Sequence, residues 1–100
     1  MRLAHVFFTV SIAARQEALN ALVAEAPTVR AMKGCLAFVP FADPTDAETL
    51  GVLHEWERAD DFAAYLASPE FARSGTILRP MMTAAPDSRR FDAELAETVN

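Results

Sequence analysis

The hydrophobic pattern of this chain changes period several times, and the order of those changes constrains its fold more than any single motif. Leu3 to Ile12 carries β-branched and aromatic side chains with no Gly or Pro, a length and composition that suit one strand. Alternation places Val6, Phe8 and Val10 on one face and His5, Phe7 and Thr9 on the other, so both faces are expected to be covered. From Ala14 the rhythm becomes helical, with Ala18, Leu19, Leu22, Val23 and Ala26 as the apolar stripe. Pro27 is expected to interrupt this helix and open a short second piece, Thr28 to Met32, which Gly34 closes as a left-handed cap. Cys35 to Ala42 is strand-like again, and Pro40, which cannot donate to a ladder, marks an edge strand or a bulge. Beyond the Asp43 to Glu48 loop, Leu50 to Glu57 predicts a third strand with Leu50, Val52, His54 and Trp56 on one face. Asp60 and Asp61 suit the first turn of a helix whose stripe is Phe62, Tyr65 and Leu66. Ser68 and Pro69 then cap and begin another, which presents Phe71, Ile77 and Leu78 before Pro80. Alternation returns between Pro86 and Glu94, with Phe91, Ala93 and Leu95 in phase, and predicts a fourth strand.

Strand, helix, strand, strand, helices, strand is the split pattern of an α+β, ferredoxin-like βαββαβ domain with an antiparallel four-stranded sheet. One hundred residues suit a single domain over residues 1–100. The helices can cover only one sheet face. The other holds Phe7, Leu53 and an apolar set of the second strand, more than a monomer leaves in water. A twofold homodimer, packed sheet on sheet as a dimeric α/β barrel, is therefore expected.

Charge and composition exclude several function classes. The net charge is −5, and the basic residues are scattered with no run longer than Arg89-Arg90, so no nucleic-acid clamp is expected. No segment approaches the roughly 20 apolar residues of a membrane span, and Thr9 and Ser11 interrupt the only candidate signal-peptide run. With Cys35 as the one cysteine there is no internal disulfide, and a cytoplasmic chain is expected. Three glycines leave no phosphate loop and no GxGxxG, the usual nucleotide and flavin signatures. His5 and His54 fall on opposite strand faces, so no metal site is expected. Cys35, beside Gly34, reads as a small buried hydrophobe and not as a nucleophile.

Gly34-Cys35-Leu36-Ala37-Phe38, Asp43-Pro44, His54-Glu55-Trp56 and the helical run from Asp61 to Phe71 follow one another along the chain. Together they resemble the antibiotic biosynthesis monooxygenase family, whose pattern is Gly-Cys, an Asp-Pro loop, a strand ending in Glu-x-Trp or Glu-x-Tyr, and a helix ending in Ser-x-x-Phe. The resemblance implies a dimeric α+β barrel and a cofactor-independent monooxygenase that oxidises a quinol or related polyphenol with dioxygen. Two positions depart from the pattern. Tyr65 stands where members usually carry His, and the Asn, Trp and His of the haem-degrading branch correspond here to Val6, Trp56 and Gly75, which leaves no evident iron ligand.

In that setting His54, with an ordinary pKa near neutrality, is the candidate to take a phenolic proton. Tyr65 could hydrogen-bond a substrate oxygen, and Arg79 could stabilise anionic charge if its helix points inward. Trp56, Phe62, Phe71 and Phe8 are the candidate walls for a flat aromatic substrate. The same residues also read as ordinary core, and Arg79 as a solvated helix-end charge. Glu55, on the other face, is expected to tie a dimer together. Two other functions suit the same pocket: a non-catalytic small-molecule-binding or stress-response dimer, and an isomerase or lyase with His54 as proton shuttle.

Overall fold

Ser11 lies just beyond the first strand and caps the turn into the first helix. In the computed structural model, which describes residues 1–100, its Oγ accepts a hydrogen bond from the Ala14 amide at 3.3 Å. The chain thereby turns through a short 3-10 segment, Ile12–Ala14, into helix α1, Arg15–Arg30. Strand β1 is Arg2–Thr9, so Ile12 belongs to the turn and not to the strand. The buried residues of α1 are Ala18, Leu22, Ala26 and Val29, one narrow stripe; Val23, expected on it, is exposed. Pro27 does not divide the helix. It lies in the last turn, and its carbonyl accepts from the Ala31 amide at 3.2 Å, so the expected second piece is largely the end of α1 itself.

Gly34 has φ 80°, the left-handed conformation that glycine adopts without steric penalty. A Cβ there would also collide with the carboxylate of Asp61. Asp61 is a first-turn residue of α2, as expected, but it is buried beneath Gly34. The turn out of α1 is thus pressed against the start of α2 through a position that can carry no side chain.

Strands β2, Cys35–Ala42, and β3, Thr49–Trp56, form a hairpin. Their loop is held by Arg15, which donates to the carbonyls of Asp43 and Asp46, each at 3.0 Å. Helix α2, Ala59–Leu66, leads to α3, Pro69–Leu78, where the Ser68 Oγ accepts from the Phe71 amide at 3.2 Å as an N-cap. Strand β4, Asp87–Asp92, closes the order. The sheet is antiparallel, β2-β3-β1-β4. Pro40 therefore lies on an edge strand, and the bulge of β2 falls between Cys35 and Ala37. Ala93 and Leu95, expected within the fourth strand, lie beyond it.

The helices cover one face. Ala4, Phe38, Leu50, Val52 and Trp56 of the sheet pack there against the α1 stripe and against Phe62, Tyr65 and Leu78. Phe71 and Ile77, expected as the buried stripe of α3, are exposed. On the opposite face Phe7, Val39, Leu53 and Phe91 are all more than a third exposed, and Phe41 meets Phe7 edge-on at 5.8 Å. No helix is long and apolar enough to cross a membrane.

Candidate active site

Residues two apart on a strand share a face, so His54 and Trp56 both point under the helices. The Trp56 indole Nε1–H donates to Nδ1 of His54 at 2.9 Å, and both side chains are buried. An imidazole nitrogen that accepts carries no proton, so neutral His54 holds its proton on Nε2. Nε2 has no hydrogen-bond partner in the chain, and His54 forms part of a cavity wall. Burial, then the nearby charges of Arg90 and His5, push the His54 pKa down to about 4. At neutral pH the ring is therefore an uncharged imidazole.

The cavity lies between the sheet and helices α2 and α3 and has a volume of about 350 Å³, within the range of small-molecule sites. Its walls are mainly aromatic. Phe38 and Phe62 each stand 5.5 Å from the His54 ring, centroid to centroid, and Tyr65 meets Phe71 at 5.2 Å. Burial raises the Tyr65 pKa, so its phenol stays protonated, and the hydroxyl bonds no group of the chain.

Among the residues singled out from the sequence, His54, Tyr65, Arg79, Phe62, Phe71 and Phe8 line this cavity together. Trp56 does not. It is wholly buried, stacked on Tyr65 at 5.2 Å and 23° and bonded to His54, so it supports the wall from behind and offers no face to a ligand. Arg79 reaches the rim by folding back over Gly75. Glu55 points to the open sheet face and makes no ion pair within the chain.

The polar and aromatic lining residues that sequence reasoning did not single out include Phe38 from β2, Ser74 from α3, Arg90 from β4 and Glu25 from α1. Arg90 lies over the Phe62 ring at 5.2 Å and donates to Ser88 at 3.3 Å, without a carboxylate partner. Glu25 accepts from the Ser74 hydroxyl at 2.6 Å, and burial pushes its carboxyl pKa up. Only Phe38 had a local signal, since its register opposite His54 follows from strand alternation. Away from the cavity, the Cys35 thiol donates to the Ala37 carbonyl at 3.6 Å, and burial raises its pKa. No three potential metal ligands converge.

The sequence profile of the antibiotic biosynthesis monooxygenase family matches residues 1–74. The fold matches solved structures over nearly their whole length. A candidate antibiotic biosynthesis monooxygenase from Deinococcus radiodurans superposes with TM-score 0.90 at 18% identity, covering 100% of this chain and 99% of the other. A candidate antibiotic biosynthesis monooxygenase from Caulobacter crescentus gives 0.87 at 22% identity, over 94% and 90%. A Mycobacterium tuberculosis protein gives 0.84 at 18% identity, over 99% and 100%. At these identities the likeness establishes the fold alone. No protein with a curated description matches the sequence.

Proposed function

Since the chain belongs to the antibiotic biosynthesis monooxygenase family, we propose that it is a cofactor-independent monooxygenase that oxidises a quinol or related polyphenolic aromatic with dioxygen. The observation that carries this reading is the free Nε2 edge of a neutral, buried imidazole on the wall of an aromatic cavity. A flat phenol entering there stacks among Phe8, Phe38, Phe62 and Phe71 and meets His54 in the plane of its ring.

In this scheme His54 presents its Nε2–H to the substrate oxygen, because its acceptor nitrogen, Nδ1, is already bonded to the Trp56 indole; it therefore donates to the phenolate and stabilises it, and the expected role of proton acceptor gives way to that of hydrogen-bond donor. With a pKa of about 4 the ring stays neutral at neutral pH, and the phenolic proton leaves to solvent. The electrostatics that keep the ring neutral also favour the phenolate, because Arg90 and Arg79 lie on the same cavity wall, and Tyr65 supplies a hydroxyl donor. The phenolate then reduces dioxygen. For a hydroquinone, one oxygen atom enters a ring carbon and the other leaves as water, giving a hydroxyquinone; all four electrons come from the substrate, and no external reductant is needed.

The bare sheet face supports a homodimer, in which Phe7, Val39, Leu53 and Phe91 meet their counterparts. Oxygen uptake by the protein against a panel of hydroquinones and anthrone-like polyphenols tests the activity. Uptake above autoxidation that His54→Ala abolishes supports the assignment; no uptake across the panel rejects it in favour of a binding module or an isomerase.

A further inference from the structure

His54 and Tyr65 are only 4% and 5% exposed, yet Nε2 of the one and the hydroxyl of the other bond no group of the chain. Neither atom is sealed. The one buried side-chain polar atom that is both unpaired and without surface is Oε1 of Glu25, so Nε2 and the hydroxyl keep their surface towards the cavity they line. Their rings meet edge-on with 5.8 Å between centroids, within reach of one flat ligand.

Both groups are donors. Nδ1 of His54 is occupied by the Trp56 indole, so Nε2 can only present its proton. The Tyr65 hydroxyl can also accept, but its own proton then has no taker. The same wall lacks a base. Glu25 of α1 is its only carboxylate; Oε1 is out of reach, and Oε2 already accepts from Ser74 at 2.6 Å. Ser74 and Ser88 contribute hydroxyls, Arg79 beyond α3 and Arg90 of β4 are cations, and His5 of β1 is turned to the opposite sheet face, beside Phe91. Near neutrality neither His54 nor Tyr65 changes its charge, since burial pushes the first down to about 4 and the second up.

We propose that the cavity takes its phenol already ionised, with the phenolate oxygen held by the His54 Nε2–H and the Tyr65 hydroxyl, and so selects phenols made acidic by a conjugated electron-withdrawing group such as a ring carbonyl. A neutral phenol satisfies the donors with its oxygen but leaves its own proton without a basic partner, whereas a phenolate needs donors alone. Taking a phenolate out of water costs solvation; the two donors and the positive charge on the wall oppose that cost. The inference rests on the same site as the oxygenase reading and deepens it: the acidity of the substrate, and not a base of the chain, sets how much of it is ready to react at a given pH.

7-Hydroxycoumarin tests this without turnover, because it is flat, carries a phenol conjugated to a carbonyl, and absorbs at different wavelengths as phenol and as phenolate. Bound to the unaltered protein, its absorbance should show the phenolate favoured over the phenol about tenfold more than in water. The 3-cyano derivative is more acidic, and the pH midpoint of binding should move with it. 7-Methoxycoumarin, which cannot ionise, should bind about tenfold more weakly than the phenolate and with no pH dependence. Tyr65→Phe and His54→Leu should each reduce the preference for the phenolate. A ligand bound as the neutral phenol, a midpoint that stays put when the ligand changes and so belongs to a group of the chain such as Glu25, a preference that survives undiminished in both variants, or no binding of any probe overturns the proposal. The ligand comparison needs no variant, so it stands even if His54→Leu does not fold. Phenolate binding without oxygen uptake from hydroquinones would leave this inference intact and remove the oxygenase; oxygen uptake with the probe bound as neutral phenol would do the reverse.

Discussion

The guanidinium of Arg79 lies across Gly75, one helical turn earlier, so closely that a Cβ on Gly75 would stand 2.7 Å from Nη2. The flexible guanidinium is the group that would move. Gly75→Ala should therefore displace Arg79 from the cavity rim while favouring helix α3 by roughly 0.5–1 kcal/mol. The expected outcome is a melting temperature that holds or rises, together with a fall in kcat/KM of about tenfold if Arg79 stabilises the developing anion. Unchanged kcat/KM would remove Arg79 from the chemistry.

Trp56→Phe keeps an aromatic ring but deletes the donor to His54 Nδ1. The orphaned acceptor should cost about 1–3 kcal/mol of stability. Because Trp56 does not line the cavity, affinity for an inert aromatic should change little while kcat falls. Urea denaturation and steady-state kinetics measure the two effects, and a rise in KM alone would show that the indole contacts substrate after all.

His54 titrates at about 4 in the folded chain against an ordinary 6.5. Between those values the unfolded chain holds a proton that the folded chain does not, so stability increases with pH across the window. It is fully present above 6.5 and is lost as pH falls towards 4, by about 3 kcal/mol in all. The stability difference between the unaltered protein and His54→Gln, measured at pH 7 and pH 4.5, should shrink in that direction. A difference that does not vary with pH would contradict the buried, neutral imidazole.

Gly34→Ala meets two obstacles, a left-handed backbone and the Asp61 carboxylate. A loss of about 1–3 kcal/mol is expected from the backbone conformation, with the collision adding to it. Adding Asp61→Ala should recover the second part and leave the first. A double variant no more stable than Gly34→Ala would show that the carboxylate moves aside freely.

Leu53 lies at 43% exposure in the middle of the bare sheet face. If two copies pack there, Leu53→Arg should convert a dimer into a monomer by sedimentation velocity, since it buries a charge without a partner on each side. A dimer that persists would place the interface elsewhere.

Much of the fold was legible because strand alternation and capping are local. The two faces of β3, the N-cap at Ser68 and the glycine after α1 all depend on residues a few positions apart. Pro27 misled because a proline is disruptive in a helix interior yet tolerated near its end, and the end is set by where Gly34 turns. The site was legible only in part. Alternation put Trp56 on the same face as His54, but whether its indole opens to a cavity or closes behind one depends on how Tyr65 of α2 stacks against it. Glu25 sits among the polar residues of α1 by periodicity, and only the return of α3, with Ser74 49 positions later, makes it a wall residue. Arg90 reads like its neighbour Arg89 until β4 pairs with β1, after which alternate side chains part to opposite faces.

The chain has a single tryptophan, and it is the residue bonded to His54. Its emission comes from one indole in a dry, aromatic setting, with an imidazole as its direct partner. Protonating that imidazole places a charged quencher on the indole nitrogen, and a ligand that takes up the Nε2 edge alters the same ring from the other side. Steady-state fluorescence of the unlabelled protein is therefore an optical gauge of both events, and it reads them whether or not any substrate is turned over.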